Sequence, residues 1–209
     1  EKWFGDIPSG EKYNRDLPKE PKQEAARRLD ITANVPLDAF YKCWHIYSRM
    51  DERYYAVDLL SDILSGGGSS RLYQSLVKEQ QLFSNIECHH FGSTDEGLLA
   101  IEGKLVKGVK LEDAEKAVEA ELEKVRQELV SENELQKVKN KTESMIAFED
   151  MSVMNRATSL AYYELLGDAV WMNDELGHYA KVTIDDIRQE ARNIFREENS
   201  NTIYYRSGN

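Results

Sequence analysis

Hydrophobic and polar positions alternate near the start of the chain, and further along they repeat at helical spacing. Residues 26–37 alternate with a period of two, which predicts a half-buried strand. A short aromatic run over residues 40–46 indicates a second strand. Residues 51–65 place apolar side chains three and four apart, which predicts an amphipathic helix with acidic residues near its positive end. The glycines that follow end this helix.

The next elements alternate between helix and strand. A second helix is predicted from about Ser70, directly after the glycines. Residues 83–91 and 98–105 predict an antiparallel pair of strands, because the "GSTDEG" between them has turn composition. Residues 111–129 then carry a long apolar stripe opposed by a charged face, which is the pattern of an amphipathic helix.

The remainder of the chain is predicted to be mainly helical. Ser131 with Glu134 has the spacing of a capping box and starts a helical run that continues toward Leu166, where a glycine ends it. A short helix is predicted over residues 171–179 and another over 183–195. The closing "NTIYYR" predicts a strand.

This order of elements predicts an α+β fold, with an antiparallel or mixed sheet covered by helices on one face. The length favours one folded domain, over residues 23–209. Residues 1–22 show no period and predict an extended linker segment. Trp3, Phe4 and Ile7 are expected to hold that segment against the surface. Because the segment lacks an initiator Met and is punctuated by Pro and Gly, the chain is expected to be part of a longer protein.

Charge narrows the classes of partner. The chain has 209 residues and a net charge of −11, so its field repels nucleic-acid backbones and anionic lipids. We therefore expect no nucleic-acid partner and no membrane partner. No apolar run reaches the roughly 18 residues of a membrane span, and the first residues lack a signal-peptide pattern. Cys43 and Cys88 indicate neither a disulfide framework nor a redox motif, so they leave the compartment open.

The Gly-rich loop has three candidate roles: a phosphate cradle, a nucleophile elbow or a hinge between helices. A phosphate loop needs a Lys after its second glycine and a strand before it, and an elbow needs Gly-x-Ser-x-Gly. The sequence has neither arrangement, which favours the hinge. The predicted hinge loop consists of Gly66, Gly67, Gly68, Ser69, Ser70 and Arg71.

The histidines do not show the spacing of a zinc site. No two of them lie four apart, and His89 and His90 are expected to point to opposite faces of their strand. We therefore expect no metal ligand, no catalytic residue and no cofactor-binding residue in this chain. The aromatic side chains of Tyr162, Tyr163 and Trp171 are expected to fill the core rather than to bind a cofactor.

The loop and its flanks carry a family resemblance. "LLSDILSGGGSSRLYQSLVKEQQLFSNIE", residues 59–87, resembles the C-terminal domain found in each half of pitrilysin/insulinase-family zinc peptidases, of the inverzincin type. The opening "WFGDIPSG", the later "ENELQKVKN" and "TIDDIRQEARNIF" extend the resemblance over nearly the whole chain. It implies the LuxS/insulinase-like half-domain fold.

The resemblance also implies where the chemistry lies. In the family, an H-x-x-E-H helix in the preceding domain binds the zinc, and this chain lacks that motif. The implied partners are the zinc-bearing N-terminal domain of the same chain and a second peptidase half, in a homodimer or heterodimer that encloses a peptide substrate. This domain would supply chamber wall and interface, and alone would be inactive.

The family also uses an Arg and a Tyr of the partner half to hold the substrate backbone. Those positions fall on Val77 and Ser84, which can do neither job. An Arg-assisted hydrogen bond in the transition state is worth about 1.5 to 3 kcal/mol, roughly tenfold to a hundredfold in rate. Either this domain belongs to the zinc-bearing half and another half supplies the pair, or it belongs to a half that has lost both functions; the first is favoured.

The leading hypothesis is thus a non-catalytic domain of a zinc metallopeptidase. The alternatives are a peptidase-derived scaffold or assembly subunit without proteolytic activity, and an unrelated α+β binding module. We expect the isolated chain to bind no zinc stoichiometrically and to cleave no peptide. Relatives with signal peptides would suggest a bacterial periplasm or cell envelope, but the sequence itself does not identify the compartment or the substrate.

Overall fold

The strands form one mixed sheet. The structure is a computed structural model and describes residues 5–8, 10 and 18–208. In this part of the chain the strand order is β1-β5-β2-β4-β3, with β5 parallel to β1 and the other pairs antiparallel. The strands are β1 (Arg27–Ala33), β2 (Ala39–Ile46), β3 (Phe83–Phe91), β4 (Gly97–Leu105) and β5 (Ser200–Ser207).

One α-helix and a π-helical segment lie between β2 and β3 in sequence, and the other helices lie between β4 and β5. A π-helical segment covers Tyr73–Glu79, and short 3₁₀ segments cover Ala169–Asp174 and Glu197–Asn199. Thr183 starts the last α-helix with the capping box that the sequence predicts, since its side chain and that of Asp186 each accept from the other's backbone N–H. The α-helices are α1 (Tyr54–Ser65), α2 (Leu111–Gln127), α3 (Glu132–Glu149), α4 (Val153–Leu166), α5 (Glu175–Lys181) and α6 (Ile184–Ile194).

The core lies between one face of the sheet and the helices. Phe40 and Trp44 of β2 and Leu99 and Ile101 of β4 are fully or almost fully buried on that face. Helix α1 packs on β3, whereas α2 and α6 pack on β2. The intervening strand residues, which point to the other face, are half-buried or exposed. The predicted α+β class, with a mixed sheet covered by helices on one face, is therefore confirmed.

Two predicted elements differ from the structure. The first strand ends at Ala33, not Leu37. The predicted helical run to Leu166 is interrupted at residues 150–152, because Ser152 accepts from Asn155 N–H and caps a new helix.

Three other predictions concern side-chain burial. Tyr163 lies in the core as expected, but Tyr162 and Trp171 are 39% and 42% exposed. Trp3 and Phe4 lie outside the described residues, whereas Ile7 is 67% exposed and does not anchor the linker segment. Among the described residues, none of the helices combines the length and the apolar character that a membrane span needs.

Candidate functional site

The Gly-rich loop turns the chain from α1 into the helical segment before β3. Gly66 N–H donates to the Asp62 carbonyl, and a Cβ at Gly66 would overlap that same oxygen. Gly67 has a φ of +123°, a conformation that favours glycine. The backbone N–H of Ser70 donates to the Gly67 carbonyl at 2.9 Å, and its hydroxyl does so at 2.6 Å. The N–H groups of Gly66 and Ser70 are therefore engaged within the turn rather than directed at an anion.

Helix α3 holds the loop from the side. The Arg71 guanidinium donates two hydrogen bonds of 2.8 Å to the two carboxylate oxygens of Glu134. One turn further along α3, Lys137 Nζ donates to Ser69 Oγ at 3.0 Å, and Lys141 Nζ donates to Asp62 Oδ1 at 2.8 Å. Three side chains of one helix thus fix the turn, which is the arrangement of a rigid helix connection.

The Arg71–Glu134 pair also changes the predicted capping of α3. The Ser131 hydroxyl accepts from Glu134 N–H at 3.2 Å, as the sequence predicts, but the Glu134 carboxylate binds Arg71 instead of closing the capping box. Both side chains are about one-fifth exposed. The hydrogen bonds from Arg71 lower the pKa of Glu134, against the effect of burial, and those to Glu134 raise the pKa of Arg71.

Val77 and Ser84 lie on either side of the turn into β3. Val77 belongs to the π-helical segment and packs, half-buried, against the core. Ser84 is exposed at an irregularity of the β3–β4 pairing, where its hydroxyl donates to the Lys104 carbonyl at 3.1 Å. The Val77 side chain cannot form the hydrogen bonds of the Arg that the family resemblance implies at its position. The Ser84 hydroxyl, which already donates to backbone, does not replace the implied Tyr.

A polar network joins α1 to β3, on the face of the sheet that the helices cover. Tyr54 Oη and His90 Nε2 share a hydrogen bond of 2.6 Å, and His90 Nδ1 lies 3.4 Å from Asp58 Oδ1. The Tyr179 hydroxyl donates to Asp58 Oδ2. This order of hydroxyl, imidazole and carboxylate resembles a catalytic triad. However, burial raises the pKa of Tyr54 and of Tyr179, which disfavours the phenolate form that a nucleophile would need.

Arg49 extends this network to the helices after α3. Its guanidinium donates to Glu175 Oε1 at 2.6 Å and to the Tyr163 hydroxyl at 3.0 Å. It also lies over the rings of Tyr54 and Tyr55, at 4.7 and 4.9 Å from the centroids. Arg49 is 9% exposed, so these contacts take the place of water. The network joins α1, α4 and α5 and is a structural feature.

The sheet face without helices also carries a group of polar side chains. Among the described residues, one group of side chains brings donor atoms close enough to hold a metal ion: Glu87 and His89 of β3 with Glu102 of β4. As the sequence predicts, His89 and His90 point to opposite faces, since His90 joins the network under α1. The sequence did not predict the group, because its members lie on two strands and have no motif spacing.

Comparison with known families decides what this fold belongs to. Residues 1–142 match the family described as "Peptidase M16 inactive domain", which is more than half of the chain. The chain belongs to this family. The predicted resemblance to the C-terminal domain of pitrilysin/insulinase-type zinc peptidases is thereby confirmed.

Individual relatives agree with this M16 assignment. The Helicobacter pylori protein "Zinc protease PqqE" is 27% identical over 191 residues, which are 89% of this chain and 42% of that protein. The Bacillus subtilis protein "Uncharacterized zinc protease YmxG" is 22% identical over 211 residues, 100% of this chain and 50% of that protein. This M16 chain therefore spans half or less of the length of these two relatives.

A solved structure shows the same fold. The crystal structure of a protease from Helicobacter pylori superposes with a TM-score of 0.88 at 24% identity, over 95% of this chain and 48% of that one. This chain thus covers about half of that larger molecule.

Proposed function

We propose that this M16 domain is the non-catalytic C-terminal domain of a zinc metallopeptidase, and that it forms chamber wall and partner interface for peptide substrates. The observation that carries the proposal is the surface of α4. Val153, Ala157, Ala161 and Leu165 repeat every four residues and therefore form one stripe on the helix. All four are exposed.

The stripe has the reverse of the usual orientation for a surface helix. Val153 and Leu165 are 82% and 75% exposed, whereas Tyr163 is the one residue of α4 that is buried. Apolar side chains of α3, Met145 and Phe148, are also exposed nearby in sequence. An exposed apolar stripe of this kind marks an interaction site. Because the chain spans half or less of its relatives, we assign this stripe to contact with the zinc-bearing N-terminal domain.

The sheet face without helices is the second surface of the proposal. Leu29, Tyr41 and Phe91 are 52%, 39% and 56% exposed on β1, β2 and β3. Such a face, with apolar and polar side chains mixed, suits contact with extended peptides of varied sequence. We assign it to the chamber wall. Val77 and Ser84 leave the substrate-holding Arg and Tyr to another half.

The test is association with the proposed zinc-bearing N-terminal domain, expressed as a separate protein. We expect this domain and the zinc-bearing N-terminal domain to form a complex in sedimentation experiments. With a second peptidase half that supplies the Arg and the Tyr, the complex should cleave peptides that this domain does not cleave alone. Leu165→Glu should weaken association by at least about tenfold, because a charge would be buried at the contact. Lys116→Glu is the matched control, since its side chain is 81% exposed on α2.

Two outcomes would contradict the proposal. Association that is equally strong with Leu165→Glu would show that α4 does not form the interface. A complex that forms but cleaves no peptide, even with the second half present, would favour the alternative, a peptidase-derived scaffold without proteolytic activity. In both experiments, circular dichroism of the Leu165→Glu chain verifies that its fold is unchanged, as expected for a residue that contacts solvent.

A further inference from the structure

Three side chains with metal-binding atoms converge on the sheet face without helices. Glu87 of β3 lies directly opposite Glu102 of β4 in the antiparallel register. His89 is two residues beyond Glu87, so it points to the same face. One ligand atom from each of the three lies within 4.8 Å of the other two. The group is open to solvent, since Glu87 is exposed and the other two are half-buried.

The two carboxylates face each other without a cation. Like charges directly opposite across strands destabilise a sheet. Within the described residues neither Glu87 nor Glu102 forms a salt bridge, and Glu87 accepts a hydrogen bond of 3.0 Å from the neutral amide of Asn85. Lys104 is the next residue of β4 that points to this face, and it forms no salt bridge with either carboxylate.

Glu115 is a contrasting carboxylate in the same fold, because cationic side chains form salt bridges with it. Its oxygens accept hydrogen bonds from Arg28 at 2.8 and 2.9 Å, from Lys42 at 3.1 Å and from the Tyr204 hydroxyl at 2.5 Å. Burial would raise the pKa of Glu115, but these contacts lower it. Compared with Glu115, the Glu87–Glu102 pair has an imidazole and no cationic side chain, which leaves room for a bound cation.

We propose that Glu87, His89 and Glu102 form a binding site for a divalent transition-metal cation such as Zn²⁺. Imidazole and carboxylate are ligands of zinc, whereas Ca²⁺ and Mg²⁺ take oxygen ligands. Donor atoms around tetrahedral zinc lie about 3.4 Å apart, so the ligand atoms need to approach one another by at most about 1.4 Å. The proposal departs from the sequence-based expectation of no metal ligand, which considered spacing along single elements.

The surroundings support a preformed position for the imidazole. The ring of Phe91 packs edge-on against that of His89 with centroids 4.8 Å apart. The backbone pairing of β3 with β4 fixes the separation of the Cα atoms of Glu87 and Glu102. Three protein ligands on a rigid sheet leave the remaining coordination positions directed to solvent, where water or a ligand from a peptide or partner could complete them.

The test is calorimetric titration of the 209-residue chain with ZnCl₂ at neutral pH. We expect one zinc per chain, with Glu102→Gln and His89→Asn each weakening binding by at least about tenfold, or 1.4 kcal/mol. Glu102→Gln has a second readout that a structural role would not give. Without zinc it should melt at the same or a higher temperature than the unaltered chain, because it removes the like-charge pair.

His45→Asn is the matched control. His45 lies on the same face, on β2, and forms a contact with Glu20 at 3.4 Å rather than with the proposed site. Its replacement should leave zinc affinity unchanged. Absence of saturable binding below about 1 mM would overturn the proposal. So would binding that survives both His89→Asn and Glu102→Gln, or equal affinity for Ca²⁺, which would show that imidazole is not a ligand.

Discussion

Gly67 and Gly68 are neighbours in the Gly-rich loop but differ in backbone conformation. Gly67 has a φ of +123°, whereas Gly68 lies outside the left-handed region, and an added Cβ at either position would meet open space. The difference between them is therefore one of backbone strain and not of packing. Substitutions at these two positions therefore test the backbone conformation of the turn without changing its contacts with α3.

Gly67→Ala should lower the free energy of unfolding by about 1 to 2 kcal/mol, because an L side chain is strained at that φ. Gly68→Ala should change it by less than about 1 kcal/mol, in either direction. Urea unfolding of the two variants beside the unaltered chain measures both values. Equal effects of the two substitutions would show that the turn does not require the left-handed conformation.

At the residue scale, the sequence predicts local conformation better than it predicts which side chains are buried. It predicts a glycine turn and a capping Ser131, and both are present. It does not distinguish buried Tyr163 from exposed Tyr162, because the two are adjacent and equally apolar. Which of them is buried depends on where α5 and Arg49 lie, and that information is nonlocal.

At the scale of elements, the ion pair between Arg71 and Glu134 joins the Gly-rich loop to α3. The two residues are 63 positions apart in sequence. Since the pKa of Glu134 is lowered on folding, this carboxylate stabilises the fold above its unfolded pKa of about 4.3. That contribution is lost as the pH falls through the lower, folded pKa. The pair is thus an acid-sensitive part of stability.

Arg71→Met should lower the free energy of unfolding by about 1 to 2 kcal/mol at pH 7. The deficit should shrink as the pH falls below about 4, because protonated Glu134 no longer gains from Arg71. Urea unfolding at several pH values measures it. Arg188→Met is the control, because Arg188 pairs with the 69% exposed Asp185 and should matter by under about 1 kcal/mol. A deficit independent of pH would contradict the assignment.

The elements themselves could be predicted where local pattern and packing agree. The strands β2 and β3 and the helix α2 lie within a residue or two of the predicted ranges, because each buries one periodic face. The interruption between α3 and α4 was missed, since the apolar period continues across it. The apolar stripe of α4 points away from the core, so the apolar period of this helix does not indicate packing within this chain.

At the scale of the whole molecule, the class of fold could be predicted but not its strand order. Sequence patterns indicate which segments are strands, and hairpin composition pairs β3 with β4. They do not place β5 between β1 and β2. The Glu87–His89–Glu102 group depends on the register of two strands, so it too becomes visible only in three dimensions.

Activity is the property that belongs to the whole molecule. The substitutions Val77→Arg and Ser84→Tyr would place an Arg and a Tyr at the positions that the family resemblance implies for the substrate-holding pair, yet the chain carrying both should cleave no peptide. An Arg–Tyr pair multiplies the rate of attack by a zinc-activated water, by roughly tenfold to a hundredfold per hydrogen bond. The residues that would bind that zinc and activate the water, H-x-x-E-H, are absent from the 209-residue sequence.

Peptide cleavage by the double variant, with and without added zinc, measures this. Zinc held by Glu87, His89 and Glu102 should not change the result, because both carboxylates would then be ligands and neither would be free to act as the base. The unaltered chain mixed with the proposed zinc-bearing domain and a second peptidase half serves as the positive control. Cleavage by the double variant alone would show that the catalytic centre lies in this domain, and would overturn the division of roles proposed for the two halves.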